Sequence, residues 1–315
     1  MTEMVRLDRL AKRFGPVHAV EEVSFTVARG EVLGFLGPNG AGKSTTMRML
    51  TGFIPPTAGS ATVLGFDVVK QAIEVKRRVG YLPEGAPLYG DMTVIDFLRF
   101  VAAMRSLAGE EGRGKIEAAI DRTQLAEVAH RPIETLSKGF KRRVGLAQAI
   151  MHDPPVLILD EPTDGLDPNQ KHGVRELIAA MAEEKAIVIS THILEEVEAI
   201  CTRAVIIARG RVVADARPDE LKRRSRHHNA VRVTANANLL PKLEPMLAGL
   251  AGAASVEPVG AVNGVATVLV YPEAGRPIVH EIGDLVRRTG LEVDEITVEQ
   301  GRLDDVFREL TDAAH

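Results

Sequence analysis

The sequence predicts an α/β protein with buried strands of parallel-sheet type, followed by a smaller α+β domain. Three observations predict it. Gly37-Pro38-Asn39-Gly40-Ala41-Gly42-Lys43-Ser44 meets every fixed position of the phosphate-loop pattern G-x-x-x-x-G-K-[ST], between an apolar run and a helix-like run. Val156-Leu157-Ile158-Leu159 is an uninterrupted apolar run ending in Asp160-Glu161, as a strand buried on both faces would. Beyond about residue 230, short apolar runs alternate with amphipathic stretches in the β-α-β-β-α-β order of a ferredoxin-like domain.

The elements follow in order. Residues up to about 60 read as short strands and turns, an N-terminal antiparallel part in which Phe14 can serve the core. Residues 31–36 read as a short buried strand, and Thr45 opens the first turns of a helix through Leu50. A Gly65-Phe66-Asp67 turn precedes a charged helix ending near Arg78. Phe97, Leu98, Val101, Met104 and Leu107 recur at helical spacing, with Asp91 expected as the cap. Residues 110–114, with two glycines, are expected as a loop. Ser137 reads as the N-cap of a helix whose apolar-periodic part is 144–150. A buried strand at 186–190 leads to His192 and a helix at 193–201. Strands at 204–208 and 211–214 share an Arg209-Gly210 hairpin turn and close the first domain, 1–221. The basic run Lys222-Arg223-Arg224-Ser225-Arg226-His227-His228 reads as a solvated linker, 222–229, with anionic-lipid attraction as the alternative. The second domain, 230–315, ends in a short amphipathic helix at 302–310.

The chemistry begins at the phosphate loop. Glycines let backbone N–H groups approach phosphate oxygens, and a helix N-terminus favours negative charge there. Lys43 is expected to reach the outer phosphates, and the Ser44 hydroxyl to ligate Mg²⁺. Asp160 is expected to hold Mg²⁺ through water, since this ion sheds its hydration shell reluctantly. Glu161 is then the base or orienter for an attacking water.

Taken together, the motifs resemble those of the ATP-binding subunits of ABC transporters, over residues 7–215. Gly37 to Ser44 is similar to the family's Walker A loop, Leu136-Ser137-Lys138-Gly139-Phe140 to its signature, and residues 156–161 to its Walker B strand. Asp164-Gly165-Leu166-Asp167 is similar to its D-loop, His192 to its switch histidine, and Phe14 to the aromatic that stacks on adenine. The resemblance implies a P-loop NTPase of ABC type with a helical subdomain at about 85–150. ATP and Mg²⁺ would be bound by Phe14, the loop from Gly37 to Thr45, Glu84, Ser137, Gly139 and Asp160. Ser44, Glu84 and Asp160 would face the metal, with Glu161 and His192 catalytic. Ser137 and Gly139 would act on the nucleotide of a second copy or a paralogue. Two departures stand out: Lys138 and Phe140 replace the signature's usual Gly and Gln, and Glu84 stands where a Gln is usual. Both resemble the subgroup serving ABC-2 type exporters. The resemblance therefore implies an ATPase that powers export through a separate polytopic membrane subunit, met by exposed residues among Leu88, Tyr89 and Phe97. The alternative is a soluble ABC ATPase acting on a non-transport assembly. The C-terminal domain would regulate, assist pairing or sense a ligand.

Composition narrows this further. Net charge of −4 speaks against bulk electrostatic binding of nucleic acid, so no such partner is expected. With Cys201 alone, no internal disulfide can form; a reducing compartment fits, and Cys201 is expected to be a small buried residue. No window approaches the ~18–20 apolar residues that cross a bilayer; taken with the resemblance to a transporter subunit, this implies a separate membrane-spanning polypeptide and a peripheral place on the cytoplasmic face of the cell membrane.

Overall fold

A computed structural model describes residues 2–85 and 87–313. The chain divides into two compact units, Met1–Arg217 with Leu310–His315, and Pro218–Glu309. The last two residues of the expected 230–315 domain lie outside the described residues.

In the first unit, β1 (Glu3–Phe14) and β2 (Val17–Ala28) form an antiparallel pair whose apolar residues alternate inward. β3 (Val32–Leu36) is buried along its whole length, and α1 (Lys43–Leu50) follows the phosphate loop. β4 (Ala58–Val63) and β5 (Phe66–Asp67) complete an antiparallel sheet in the order β2-β1-β4-β5. After α2 (Ala72–Arg78), β6 (Val79–Leu82) enters the second sheet. Three helices come next, α3 (Val94–Met104), α4 (Gly109–Arg122) and α5 (Lys138–Ile150). They are followed by β7 (Val156–Asp160), α6 (Pro168–Ala182), β8 (Ala186–Thr191), α7 (Leu194–Ile200), β9 (Arg203–Ala208) and β10 (Arg211–Ala216).

Among the described residues the second sheet has the order β10-β9-β3-β8-β7-β6, parallel except for β10. β3, β7 and β8 are covered on both faces, which is why each reads as a continuous apolar run. One core joins the two sheets: Leu7, Val23 and Phe25 meet Phe35, Met47, Ile158 and Val188. The Arg209-Gly210 turn has both residues at positive φ, 47° and 78°, as a tight β-hairpin requires. Cys201 is buried as expected, and burial pushes its thiol up to about 12. No helix of the described residues is long and apolar enough to cross a membrane.

The helical part departs from expectation in three places. Thr93, not Asp91, caps α3, its side chain accepting from the Asp96 N–H. Residues 110–114 are helical rather than a loop. Glu110 and Glu111 sit in the first turn, where the helix dipole favours acids, and pair with Arg113 and Lys115 at 3.8 and 2.8 Å. Gly112 is used for close packing, since a Cβ there would meet Leu107 O at 2.7 Å. Phe97 is 2% exposed and belongs to the core of this subdomain with Leu98, Ile116, Leu125 and Val144. It is therefore removed from the surface residues expected to meet a partner; Tyr89, Phe100 and Met104 are the exposed apolar residues there.

In the second unit, α8 (Pro218–Lys222) leads into β11 (His228–Asn236), α9 (Leu240–Ala248), β12 (Ala253–Val262), β13 (Val265–Pro272), α10 (Val279–Thr289) and β14 (Glu295–Gln300). The sheet order β12-β13-β11-β14, antiparallel throughout, is the split β-α-β arrangement of a ferredoxin-like domain. Leu243 and Leu247 of α9 and Ile282 of α10 pack with Val231, Val233, Val268 and Val270 of the sheet. α11 (Leu303–Asp312) ends the described chain. Residues 222–229, expected as a solvated linker, are folded into this unit. Ser225 and His227 are buried, and both bond to Asp305.

Candidate functional site

β3 delivers Gly37 at the carboxyl edge of the parallel sheet, where ligands collect in open α/β folds. The loop turns into α1 through Gly42, whose φ of 107° only glycine adopts readily and whose Cβ would meet Ala19 O at 2.5 Å. No side chain caps α1, so the N–H groups of its first turn are left for an external acceptor. The Gly210 N–H donates to Ala41 O at 2.9 Å, which pins the loop from the hairpin beside it. Lys43 is 7% exposed, and its Nζ donates to Gly37 O at 2.7 Å and Pro38 O at 3.3 Å. Burial pushes its ammonium below the ordinary lysine value, against the opposing pull of Glu161, Asp160 and Glu84.

Asp160 and Glu161 arrive on the end of β7, two strands away from β3. Asp160 is 1% exposed, and its Oδ1 accepts from the Ser190 hydroxyl of β8. Glu161 takes a left-handed φ of 52°, rare for a side chain of its kind, while its N–H is held by Ser190 O at 2.9 Å. That turn aims the carboxylate at two cations or donors. Oε1 lies 2.9 Å from His192 Nδ1 and 4.0 Å from Lys43 Nζ. His192 follows β8 on a turn whose Ile193 N–H donates to the Thr191 hydroxyl. Thr191 in turn donates to Glu196, a buried carboxyl raised above its usual range by burial.

A cavity of about 280 Å³ is lined by Asn39, Gly40, Gly42, Lys43, Ser44, Thr45, Glu84 and Glu161. Residues from four separate stretches of sequence, Ala19 included, are thus brought to one place, with Asp160 acting on the Lys43 charge and His192 joined through Glu161. The donor set suits a hard divalent cation. The Ser44 hydroxyl is bonded to no other group among the described residues, and Glu84 lines the same cavity; Asp160, 1% exposed, does not line it, so its carboxylate would act only through water. Phe14, Ser137 and Gly139 are not part of this cavity. Phe14 is 50% exposed at the β1–β2 turn with Lys12 Nζ 5.1 Å from its ring, so it serves no core. Ser137 caps α5, its Oγ accepting from the Phe140 N–H at 3.3 Å, and Gly139 is buried beside α6.

Two groups at the site escaped sequence reasoning. Arg142 is 7% exposed and donates from one guanidinium to four carbonyls: Pro83 and Glu84 at 2.7 and 2.9 Å, Glu161 at 2.6 Å, and Asp160. It ties the segment carrying Glu84 to the end of β7. The available signal was an arginine pair inside an apolar-periodic helix. Lys138, noted only as a departure, bonds to Asp164 at 2.7 Å and holds that carboxyl below its usual range.

Comparison with known proteins agrees with this geometry. A family profile described as "ABC transporter" matches residues 20–164. The "Probable multidrug ABC transporter ATP-binding protein YbhF" of Escherichia coli is 38% identical over 223 residues, 70% of this chain. The match spans only 38% of that relative's length. The "Nod factor export ATP-binding protein I" of Ralstonia nicotianae is 33% identical over 311 residues, covering 98% of this chain and 94% of the relative. Among solved structures, an "ATP binding subunit of ABC transporter" superposes with a TM-score of 0.65 at 31% identity, over 70% of this chain and 92% of the other.

Proposed function

This chain belongs to the ABC transporter family, and from that membership we propose that it is the ATP-hydrolysing subunit of an exporter whose membrane-spanning part is a separate polypeptide. The observation that carries the reading is the meeting of Lys43, Glu161 and His192 at an uncapped helix N-terminus. The N–H groups of the phosphate loop and the Lys43 ammonium bind the triphosphate, and Phe14 stacks on the adenine. Ser44, with Asp160 through water and Glu84, would hold Mg²⁺, which when bound neutralises charge on the phosphate oxygens. Glu161 orients the attacking water and takes its proton. His192 fixes the direction of the Glu161 carboxylate through its 2.9 Å contact and reaches the γ-phosphate from the other side. Arg142 holds the Glu84 and Glu161 backbones in register, so closure around the phosphates is felt along the segment after β6.

Two subunits face each other head to tail, each supplying Ser137 and Gly139 to the other's nucleotide. The membrane partner meets the apolar surface formed by Leu88, Tyr89, Phe100 and Met104, which lines a groove of about 360 Å³. The protein would then sit at the inner face of the cell membrane. Export as the direction is supported by the name of the R. nicotianae relative, a Nod factor export protein.

Affinity purification of the tagged chain from gently solubilised native membranes tests this. The expected result is a polytopic membrane protein at near-equal stoichiometry. Recovery only from the soluble fraction, alone or with a soluble assembly, would overturn the exporter assignment.

A further inference from the structure

The second unit holds a cavity of about 460 Å³ that the ATPase reading leaves without a role. This volume lies within the usual range of small-ligand sites. Its walls include Arg223, Arg224, Arg226, His228, Glu257 and Tyr271. Three arginines against one glutamate leave the walls at +2 with His228 neutral, on a chain whose net charge is −4. The guanidinium groups of Arg223 and Arg224 are exposed and make no ion pair among the described residues. Arg226 is held from behind instead. Its Nη2 donates to both Glu257 oxygens, at 2.9 and 2.7 Å, and to the Tyr271 hydroxyl at 3.0 Å, with its Cζ 4.6 Å from the Tyr271 ring centre.

The support continues inward. Tyr271 Oη lies 3.1 Å from His227 Nε2, and His227 Nδ1 lies 2.6 Å from Asp305 Oδ2, which also accepts from Ser225 at 3.0 Å. One set of proton positions satisfies the whole chain. His227 Nδ1–H donates to Asp305, Tyr271 O–H donates to His227 Nε2, and the Tyr271 oxygen accepts from Arg226. A relay through buried Tyr271 and His227 to half-buried Asp305 therefore fixes the orientation of one cavity arginine, and two unpaired arginines stand beside it. Guanidinium forks match phosphate oxygens, and a site whose groups are held in advance loses less on binding. A wall charge of +2 complements a phosphomonoester, which carries about −1.5 to −2 at neutral pH, better than a single carboxylate.

We propose that this cavity binds a phosphomonoester anion, presented either by a free phosphorylated metabolite or by a phosphatidic acid headgroup. The full-length chain, first saturated with ADP and Mg²⁺ so that the phosphate loop is filled, is titrated with inorganic phosphate at constant ionic strength. The readout is the ring resonances of His228, assigned through His228→Gln. A saturable shift absent with chloride is expected, weakened about tenfold by Arg223→Gln or Arg224→Gln. Arg224→Lys should restore part of the loss. In parallel, the chain is sedimented with phosphatidylcholine vesicles with and without phosphatidic acid. Sedimentation that needs phosphatidic acid and both arginines identifies the lipid headgroup. Phosphate saturation without such sedimentation identifies the free metabolite. The proposal is overturned if neither occurs, or if both Gln variants respond as the parent does. None of these readouts depends on ATP hydrolysis or on a membrane subunit, so the outcome stands apart from the exporter assignment.

Discussion

α1 and α5 both begin at short turns containing glycine beside a lysine, and they use their N-termini in opposite ways. α1 starts behind Gly42 with no side-chain cap, and its Lys43 folds inward onto the loop carbonyls. α5 starts behind Ser137, whose Oγ already accepts from the Phe140 N–H, and its exposed Lys138 is paired with Asp164. An anion site at a helix end needs donors without a local partner. By that criterion α1 is built to hold phosphate within its own chain. At α5 the cap satisfies only the Phe140 N–H; the Lys138 and Gly139 N–H groups have no partner among the described residues, and a hydroxyl that accepts from its own helix still has its O–H to give. We propose that such donors, outside the cavity of this chain, act on a phosphate that another copy brings.

Substitutions at three residues sharpen the contrast. The largest effect is expected from Glu161→Gln. General-base catalysis contributes about 10²–10⁴-fold, so steady-state hydrolysis should fall by that order while ATP is still bound. Phosphate release measured at saturating ATP checks this, and turnover near that of the parent would remove Glu161 from the chemistry. Next is Lys43→Ala, which takes from the phosphate loop the buried ammonium of Lys43. Loss of a charge-assisted contact to the triphosphate should weaken ATP by about 10–100-fold in equilibrium dialysis. Unchanged affinity would erase the difference drawn between the two helix ends.

How much of this was legible in the sequence follows from what each residue needs. The phosphate loop could be read because the backbone demands its glycines: Gly40 and Gly42 take φ of 79° and 107°, and a Cβ on Gly42 would also meet Ala19 O at 2.5 Å. Asp160 and Glu161 could be read because an apolar run must end somewhere, and these acids end it at the ligand edge of the sheet. The ferredoxin-like order of the second unit was visible for the same reason, through alternation within short strands. Arg142 was not visible as a site residue. Its carbonyl partners lie in two stretches that chain folding brings to α5, and nothing local in the helix announces them. The stretch 222–229 was misread because its basic composition suits solvent, whereas Ser225 and His227 are held by Asp305, far along the chain. Residues 110–114 were misread because two glycines outweighed, on paper, the acids and i,i+3 and i,i+4 pairs that favour a helix. Arg142 and residues 222–229 depend on distant partners, whereas at 110–114 the local cues themselves conflict.

The smallest effect separates the two duties assigned to Ser137. Ser137→Ala removes the cap acceptor and the O–H together, so α5 should lose about 1 kcal/mol of stability. Ser137→Asp keeps a capping oxygen, and its charge is favoured at a helix N-terminus, so stability should be held near that of the parent. Yet an aspartate has no donor when ionised and would repel a phosphate brought to it by a second subunit. Thermal melts and hydrolysis rates therefore part company. Ala should lower both, whereas Asp should lower hydrolysis alone, in a manner that depends on protein concentration because it acts across a dimer. If Asp hydrolyses as the parent does, Ser137 is a helix cap and nothing more, and α5 contributes no group to a neighbouring nucleotide through it.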